Sequence, residues 1–135
     1  MVSDIYLIDT HALLWFQENN AKMPDRALQT ILNADNTILF SQISLYEIAI
    51  KQKIGKLPNF VASVEKVYLQ AITDGFTFLN IQNTHIFNYD KVPFMEHHRD
   101  PFDRLLIATA IAENAIIISD DHKFSAYNDW VKIVW

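Results

Sequence analysis

The stretch "PFDRLLIATAIAENAIIIS", residues 101–119, joins an amphipathic segment directly to a short apolar run. Apolar residues recur at helical spacing in its first part, which predicts a helix over 101–114. The second part, "AIIIS" (115–119), is rich in β-branched residues and is typical of a strand buried on both faces. A helix that leads straight into a buried strand is typical of α/β proteins, so this stretch predicts a mostly parallel sheet.

The same alternation extends over the rest of the chain. The segment 59–75 places Val61, Val64 and Val67 on one stripe of a predicted helix, and Trp15 and Phe16 are expected in the core. We therefore expect one α/β domain over residues 1–135, with three layers and a mostly parallel central sheet flanked by helices. Further strands are predicted at 5–9, 37–40, 76–81 and 131–135, with helices from Thr10 onward, at 25–34 and at 45–54.

Composition excludes several classes of protein. Half of the 135 residues are apolar, which excludes disorder, and the absence of cysteine excludes disulfides and thiolate metal sites. No run approaches the roughly 20 apolar residues of a membrane span, and no signal peptide is evident, so the chain is expected to be soluble and cytoplasmic. The net charge of −5 argues against broad electrostatic binding of nucleic acid, but it allows a site where metal ions supply positive charge.

Four acidic residues stand at junctions between predicted elements. Asp9 ends the first strand, Glu47 lies in the first turn of the helix after the second strand, and Asp103 lies in the first turn of the helix at 101–114. Asp121 follows the strand at 115–119. Working sites of parallel sheets lie beyond the carboxyl ends of the strands, so these side chains are expected to converge there.

Each acid also has a purely structural interpretation. Asp9 is a suitable cap for a helix that starts at Thr10 or His11. The pair Ser44 and Glu47 fits a capping box, and Asp100 fits as the cap of the next helix, with Asp103 in its first turn. These interpretations do not explain why the acids lie on inward faces, where a carboxylate is costly unless it is paired or binds a cation. Clustered carboxylates favour hard ions such as Mg²⁺ or Mn²⁺.

Three segments resemble PIN-domain nucleases, especially the VapC-type toxins of toxin–antitoxin pairs. They are "IYLIDTHALLWF" (5–16), "SQISLYEIAIKQKIGKL" (41–57) and "HRDPFDRLLIATAIAENAIIISDDHKF" (98–124). The resemblance covers nearly the whole chain in order, and "DPFDRLLIATA" is its most specific piece. It implies a PIN-like fold and hydrolysis of RNA phosphodiester bonds that depends on Mg²⁺ or Mn²⁺. The catalytic and metal-binding residues that it implies are Asp9, Glu47, Asp103 and Asp121.

The resemblance also implies supporting roles. The last acid of the family lies in a pattern like Thr-x-Asp-x-x-Phe, which selects Asp121 in "SDDHKF" (119–124), with Ser119 in place of threonine. Asp120 falls on the variable position and is expected to point elsewhere and to be replaceable. Thr10 is expected to orient Asp9 or a water, or else simply to cap its helix, and Asp100 is an auxiliary acid. The nearby histidines are expected at the surface or as caps, namely His11, His97, His98 and His122.

The family likeness implies partners as well: RNA as the substrate, a cognate antitoxin protein, and a second copy of the chain in a homodimer. The apolar stretch "IFNYDKVPF" (86–94) is a candidate for the exposed surface that such contacts need. Two other functions stay open. One is a catalytically silent PIN fold that serves as an interaction module, and the other is a phosphatase with Asp9 as its nucleophile.

Overall fold

A computed structural model describes residues 4–95 and 100–135 of the chain. The strands in these ranges form one sheet: β1 (Ile5–Ile8), β2 (Thr37–Ser41), β3 (Thr77–Leu79), β4 (Ile116–Ile118) and β5 (Ile133–Val134). Their order across the sheet is β3-β2-β1-β4-β5, and every pairing is parallel. The predicted parallel sheet is therefore confirmed, although β3 and β5 are shorter than the apolar runs that predicted them.

Helices follow or precede each strand, as an all-parallel sheet requires. Asn19 and Asn114 adopt the left-handed conformation with φ of 54° and 53°, and each ends the helix before it. Short 3₁₀ turns lie at Tyr89–Lys91 and Ser125–Tyr127. The helices of the described ranges are α1 (Thr10–Glu18), α2 (Asp25–Leu32), α3 (Gln42–Lys53), α4 (Val64–Thr73), α5 (Asn83–Asn88), α6 (Pro101–Glu113) and α7 (Asp121–Phe124).

Two apolar clusters cover the two faces of the sheet. Successive strand residues point to opposite faces, so Leu7 and Ile117 belong to one cluster while Ile8 and Ile118 belong to the other. The first cluster packs against α6, and the second packs against α1, α2 and α4. Each such side chain, when fully buried, stabilises the fold by about 1.5–3 kcal/mol. The predicted three-layer α/β architecture is confirmed.

Several predicted boundaries are wrong for local reasons. The helix expected over 59–75 begins only at Val64, because the Ser63 side chain accepts a hydrogen bond from Lys66 N and caps it there. Val61 consequently lies outside the stripe and is 93% exposed. Trp15 and Phe16 are only partly buried, at the margin of the second cluster. No helix in ranges 4–95 and 100–135 is long and apolar enough to cross a membrane.

The register of the sheet brings β1, β2 and β4 to one edge. Ile8 stands opposite Phe40 in β2 and opposite Ile118 in β4. The next residues along β1 and β4, Asp9 and Ser119, therefore leave the sheet side by side, and Asp9 N donates to Ile118 O at 3.0 Å. This is the carboxyl edge at which α/β proteins bind ligands.

Candidate active site

Asp9 lies at the centre of the carboxyl edge and is 2% exposed. It caps α1, since its Oδ1 accepts a hydrogen bond from Ala12 N at 2.7 Å, and the capping role predicted from the sequence is confirmed. Its other oxygen, Oδ2, accepts a hydrogen bond from Ser119 Oγ at 2.5 Å. Both neighbours are buried, so the Asp9 carboxylate is held in one orientation by the backbone of α1 and the end of β4.

Thr10 connects this edge to α3. Its Oγ1 lies 2.6 Å from Glu47 Oε1 and 2.9 Å from Ser44 Oγ. A hydroxyl has a single hydrogen to donate, and the charged oxygen at the shorter distance is the stronger acceptor. Thr10 therefore donates a hydrogen bond to Glu47 and accepts one from Ser44. Because Thr10 is the first residue of α1 and Asp9 is the cap, Thr10 does not cap its helix, and its hydroxyl serves a contact between helices instead.

Glu47 is 1% exposed, which makes it one of the most deeply buried charged side chains of the described residues. Its Oε2 forms an ion pair with Lys51 Nζ at 2.8 Å, one helical turn further on. The predicted capping box at Ser44 is wrong, because α3 begins at Gln42 and its cap is Ser41, whose Oγ accepts from Ile43 N at 3.1 Å. Glu47 thus lies in the second turn of α3, where nothing in its position serves the helix terminus.

Asp103 lies in the first turn of α6 and is 6% exposed. The predicted cap is confirmed, since Asp100 Oδ1 accepts hydrogen bonds from Phe102 N at 2.8 Å and Asp103 N at 3.4 Å. Helix α6 packs against α3, where the rings of Phe102 and Tyr46 stand edge to face with centroids 6.0 Å apart. The residues next in sequence to these two rings are Asp103 and Glu47, so the α3–α6 contact brings the first turn of α6 to the part of α3 that carries Glu47.

Of the two aspartates that follow β4, only Asp120 has its side chain within the described part of the structure. Asp120 Oδ1 accepts a hydrogen bond from His122 N at 3.0 Å, which closes the turn into α7, and the residue lies at the same edge as Asp9. Asp121 is the first residue of α7, but its side chain lies outside the described part of the structure. His97 and His98 also lie outside the described residues. The roles predicted for Asp120 and Asp121 therefore stay predictions.

The described acids suit a hard cation by their chemistry. Asp9, Glu47 and Asp103 offer only carboxylate oxygens, which Mg²⁺ and Mn²⁺ prefer, and Thr10 and Ser119 add hydroxyls. In the described part of the chain, no group of three or more histidine, aspartate or glutamate side chains is arranged as a metal site. The Asp121 side chain is not among the described side chains to which this statement applies. The oxygens of Asp9 and Glu47 are satisfied here by protein donors, so a cation at this edge competes with contacts such as that of Lys51.

Sequence reasoning missed Arg104, which follows Asp103 and is 5% exposed. Its guanidinium donates to Val92 O and Pro93 O, both at 2.8 Å, and to the Tyr89 hydroxyl at 3.1 Å. It thus ties the segment before residue 95 to α6. The signal that could have found it was the presence of a single basic residue in α6, next to Asp103.

Tyr127 lies behind the same helix and is fully buried. Burial raises the pKa of the Tyr127 hydroxyl above its usual value. The positive charge of Arg104, whose Nη1 lies 3.5 Å from that hydroxyl, lowers the pKa, and the negative charge of Asp103 raises it. The net direction is upward, so Tyr127 is a neutral neighbour of Asp103 at ordinary pH.

An apolar cavity of about 340 Å³ opens beside Asp9. It is bordered by residues of α1, by the turn after β4 and by the residue after β5. Of the histidines near the edge, His122 is exposed and His11 is half-buried, and both face this cavity. The lining residues are Asp9, His11, Ala12, Trp15, Asp120, His122 and Trp135.

The segment 86–94 does expose apolar side chains, as predicted. Phe87 and Phe94 are each 68% exposed and Ile86 is 52% exposed, whereas Val92 is buried. Part of the segment is helical, since α5 reaches Asn88. Exposed apolar side chains such as Phe87 and Phe94 are typical of surfaces that contact another protein.

Comparison with solved structures identifies the same fold. VapBC2 from Rickettsia felis bound to a DNA fragment from their promoter aligns with a TM-score of 0.65 at 20% identity, over 96% of this chain and 97% of that one. VapBC-1 from nontypeable Haemophilus influenzae aligns with a TM-score of 0.65 at 17% identity, over 96% of each chain. DNA-bound VapBC from Salmonella typhimurium aligns with a TM-score of 0.62 at 14% identity, over 99% of this chain and 98% of that one.

Comparison of the amino-acid sequence with known proteins and protein families identifies one family. A search of curated protein sequences gives no match. The family model for the PIN domain matches residues 6–129, a range that includes each of the four acids predicted to form the site. A match over this much of the sequence, on a fold shared with VapBC structures, shows that the chain belongs to the PIN domain family.

Proposed function

We propose that this PIN domain is a Mg²⁺- or Mn²⁺-dependent endoribonuclease and acts in the cytoplasm as the toxin of a toxin–antitoxin pair. The observation that carries the proposal is the pair of buried carboxylates at the carboxyl edge of a parallel sheet, with Asp9 held by Ala12 N and Ser119 and Glu47 held by Thr10. Burying two carboxylates is costly even where one caps a helix and the other pairs with a lysine. A binding site for positive charge would account for the placing of both at this edge.

The cation would be held by Asp9, Glu47, Asp103 and Asp121. A divalent cation bound there would supply positive charge for the phosphate oxygens and would lower the pKa of a water for attack at phosphorus. Water as the nucleophile leaves a 5′-phosphate and a 3′-hydroxyl, because the ribose 2′-hydroxyl takes no part. The acidic total charge of −5 is compatible with this chemistry, since the cation compensates for the poor attraction between an acidic protein and RNA.

The other residues of the site hold the acids in position. Ala12 N and Ser119 fix Asp9, and Thr10 fixes Glu47, so the carboxylates are oriented before any ligand arrives. Lys51 neutralises the Glu47 carboxylate while no cation is bound, and its partly exposed side chain adds positive charge beside the site. Preorganised oxygen donors of this kind are what a small, demanding ion such as Mg²⁺ needs.

The similar structures and the exposed apolar side chains support two kinds of protein partner. The similar structures are of VapBC complexes, and we propose an antitoxin as a partner of this chain too. Exposed apolar side chains such as Phe87 and Phe94 support a protein contact, either with the antitoxin or with a second copy in a homodimer. An antitoxin that covers the carboxyl edge would keep RNA from the carboxylates.

The proposal is tested by RNA cleavage with Mn²⁺, with Mg²⁺ and with EDTA, followed by sequencing of the RNA ends. Asp9→Asn and Asp121→Asn are expected to abolish cleavage, because each removes an anionic ligand while keeping the shape of the side chain. Asp120→Asn is expected to retain most of it. Asp129→Asn is the matched control, since Asp129 is exposed and lies beside a different cavity.

Undiminished cleavage by both Asp9→Asn and Asp121→Asn would refute the assignment of the site. Loss of activity in Asp120→Asn with retention in Asp121→Asn would mean that the register is wrong by one residue. A chain that cuts no RNA and binds its partner equally well with and without metal would instead be an interaction module.

A further inference from the structure

The cavity beside Asp9 is built mainly from aromatic rings. Trp15 of α1 and Trp135, the residue after β5, have ring centroids 5.6 Å apart and planes tilted by 43°. His11 stands edge-on to Trp15, with centroids 6.4 Å apart. These rings come from distant parts of the sequence and meet only because β5 is the edge strand next to β4.

Their position differs from that of core tryptophans. Both indoles are only partly buried and border a space of about 340 Å³, which lies within the range of small-ligand pockets, from about 300 Å³ upward. Leaving two large aromatic rings open to water is unfavourable when neighbouring side chains could close over them. The arrangement is therefore typical of a surface that is completed by a ligand.

The polar groups of the cavity narrow the kind of ligand. His11 and His122 offer ring nitrogens that donate or accept a hydrogen bond, and Asp9 lies on the same wall. Lys22 Nζ lies 6.0 Å from the Trp15 ring centroid and adds positive charge nearby. A flat ring with polar edges, attached to a phosphate, fits this set of aromatic and polar groups better than a purely aliphatic side chain does.

We propose that this cavity binds a nucleobase of the substrate, stacked on Trp15 or Trp135, next to the phosphate held at Asp9. The inference rests on the proposed nuclease function and adds to it a subsite that reads single-stranded RNA. Proteins recognise unpaired RNA bases by stacking them on aromatic side chains, and a base inside a duplex is not available for this. Paired RNA should therefore be a poorer substrate than a loop or single strand.

Binding is tested without metal and without turnover. The probes are the four ribonucleoside 5′-monophosphates, with ribose 5-phosphate as the matched probe that lacks a base, all in EDTA. Indole N–H signals are followed by NMR in the full chain, which contains three tryptophans. We expect at least one nucleotide to shift the signals of Trp15 and Trp135, and ribose 5-phosphate to leave them in place. Trp130 is the internal control, because it borders a different cavity.

Variants at Trp135 then separate stacking from folding. Trp135→Leu keeps apolar volume but loses the ring, and it should weaken nucleotide binding by about 5- to 100-fold, the range measured for base–aromatic stacking. Trp135→Phe should recover most of that loss. Thermal unfolding of each variant checks that the domain is intact, and the wild-type titration remains decisive even where a variant does not fold.

The outcomes distinguish this subsite from the nuclease proposal. Cleavage of RNA by a chain whose Trp15 and Trp135 signals no nucleotide shifts would overturn the subsite and leave the nuclease standing. Equal shifts with ribose 5-phosphate would also overturn it, because they would report a phosphate site only. Base-dependent shifts in a chain that cuts no RNA would support the subsite and refute the nuclease.

Discussion

Replacing Thr10 by valine tests the hydrogen bonds between the start of α1 and α3 most directly. Valine has nearly the same shape as threonine but carries a methyl group in place of the hydroxyl. Thr10 is 2% exposed, and its hydroxyl oxygen lies 2.6 Å from Glu47 Oε1 and 2.9 Å from Ser44 Oγ. Loss of a hydrogen bond to a charged group costs about 1.5–3 kcal/mol, and loss of the neutral one costs about 0.5–1.5 kcal/mol. The added buried methyl group returns about 0.8 kcal/mol.

The free energy of unfolding of Thr10→Val should thus fall by about 1–4 kcal/mol, measured by urea denaturation monitored by circular dichroism. Thr10→Ser keeps the hydroxyl and is the matched control, expected to stay within about 1 kcal/mol of the wild type. Cleavage of RNA should fall as well, because the Glu47 carboxylate loses the donor that orients it. A loss of stability without any loss of cleavage would show that cleavage does not need the orientation that Thr10 gives to Glu47.

A double-mutant cycle with Glu47→Gln sharpens the result. If Thr10 acts through the carboxylate, the two substitutions should be non-additive by about 0.5–3 kcal/mol, the range found for residues in direct contact. Additive effects on the free energy of unfolding, or a Thr10→Val change below about 0.5 kcal/mol, would refute the reasoning. The second outcome would mean that the 2.6 Å contact is not formed in solution.

Three further predictions concern neighbouring groups. Ser119→Ala removes the 2.5 Å hydrogen bond to Asp9 and should lower the free energy of unfolding by about 1.5–3 kcal/mol in urea; an unchanged midpoint would contradict it. Arg104→Lys should destabilise by about 1.5–3 kcal/mol, the cost of one hydrogen bond from a charged group, since one ammonium cannot replace the guanidinium fork on two backbone carbonyls; equal stability in urea would show that the fork is dispensable. Burial raises the pKa of Tyr127 above 10, so the unfolded chain loses this proton first, and stability should fall as pH rises past about 10; Tyr127→Phe should lose less stability there, and an identical alkaline profile would argue against the shift.

The sequence predicted most of the fold because the signals for it are local. The short apolar, β-branched runs of β1 and β4 and the helical spacing in α6 are properties of short windows, and alternation of helices with strands indicates a parallel sheet. Boundaries failed where one residue decided them. The Ser63 cap starts α4 five residues after the predicted helix begins, and Ser41 rather than Ser44 caps α3.

The candidate site was predictable only as a set of acids at one edge. The identity of the hydrogen-bond partners was not, since Thr10 meets Glu47 across 37 positions of sequence and Ser119 meets Asp9 across 110. The aromatic cavity was missed entirely, because Trp15 was interpreted as core and Trp135 as part of a strand. Nothing in either local pattern indicates that the two rings meet.

The sequence by itself determined the succession of strands and helices along the chain and the parallel sheet, and it predicted acids at the carboxyl edge, because each of these depends on periodicity and on position within one element. The tertiary structure decided which hydroxyl orients which carboxylate and which rings enclose the cavity beside Asp9. Those contacts depend on strand register and helix packing, and both are settled by the burial of the two apolar clusters as a whole rather than by any single segment.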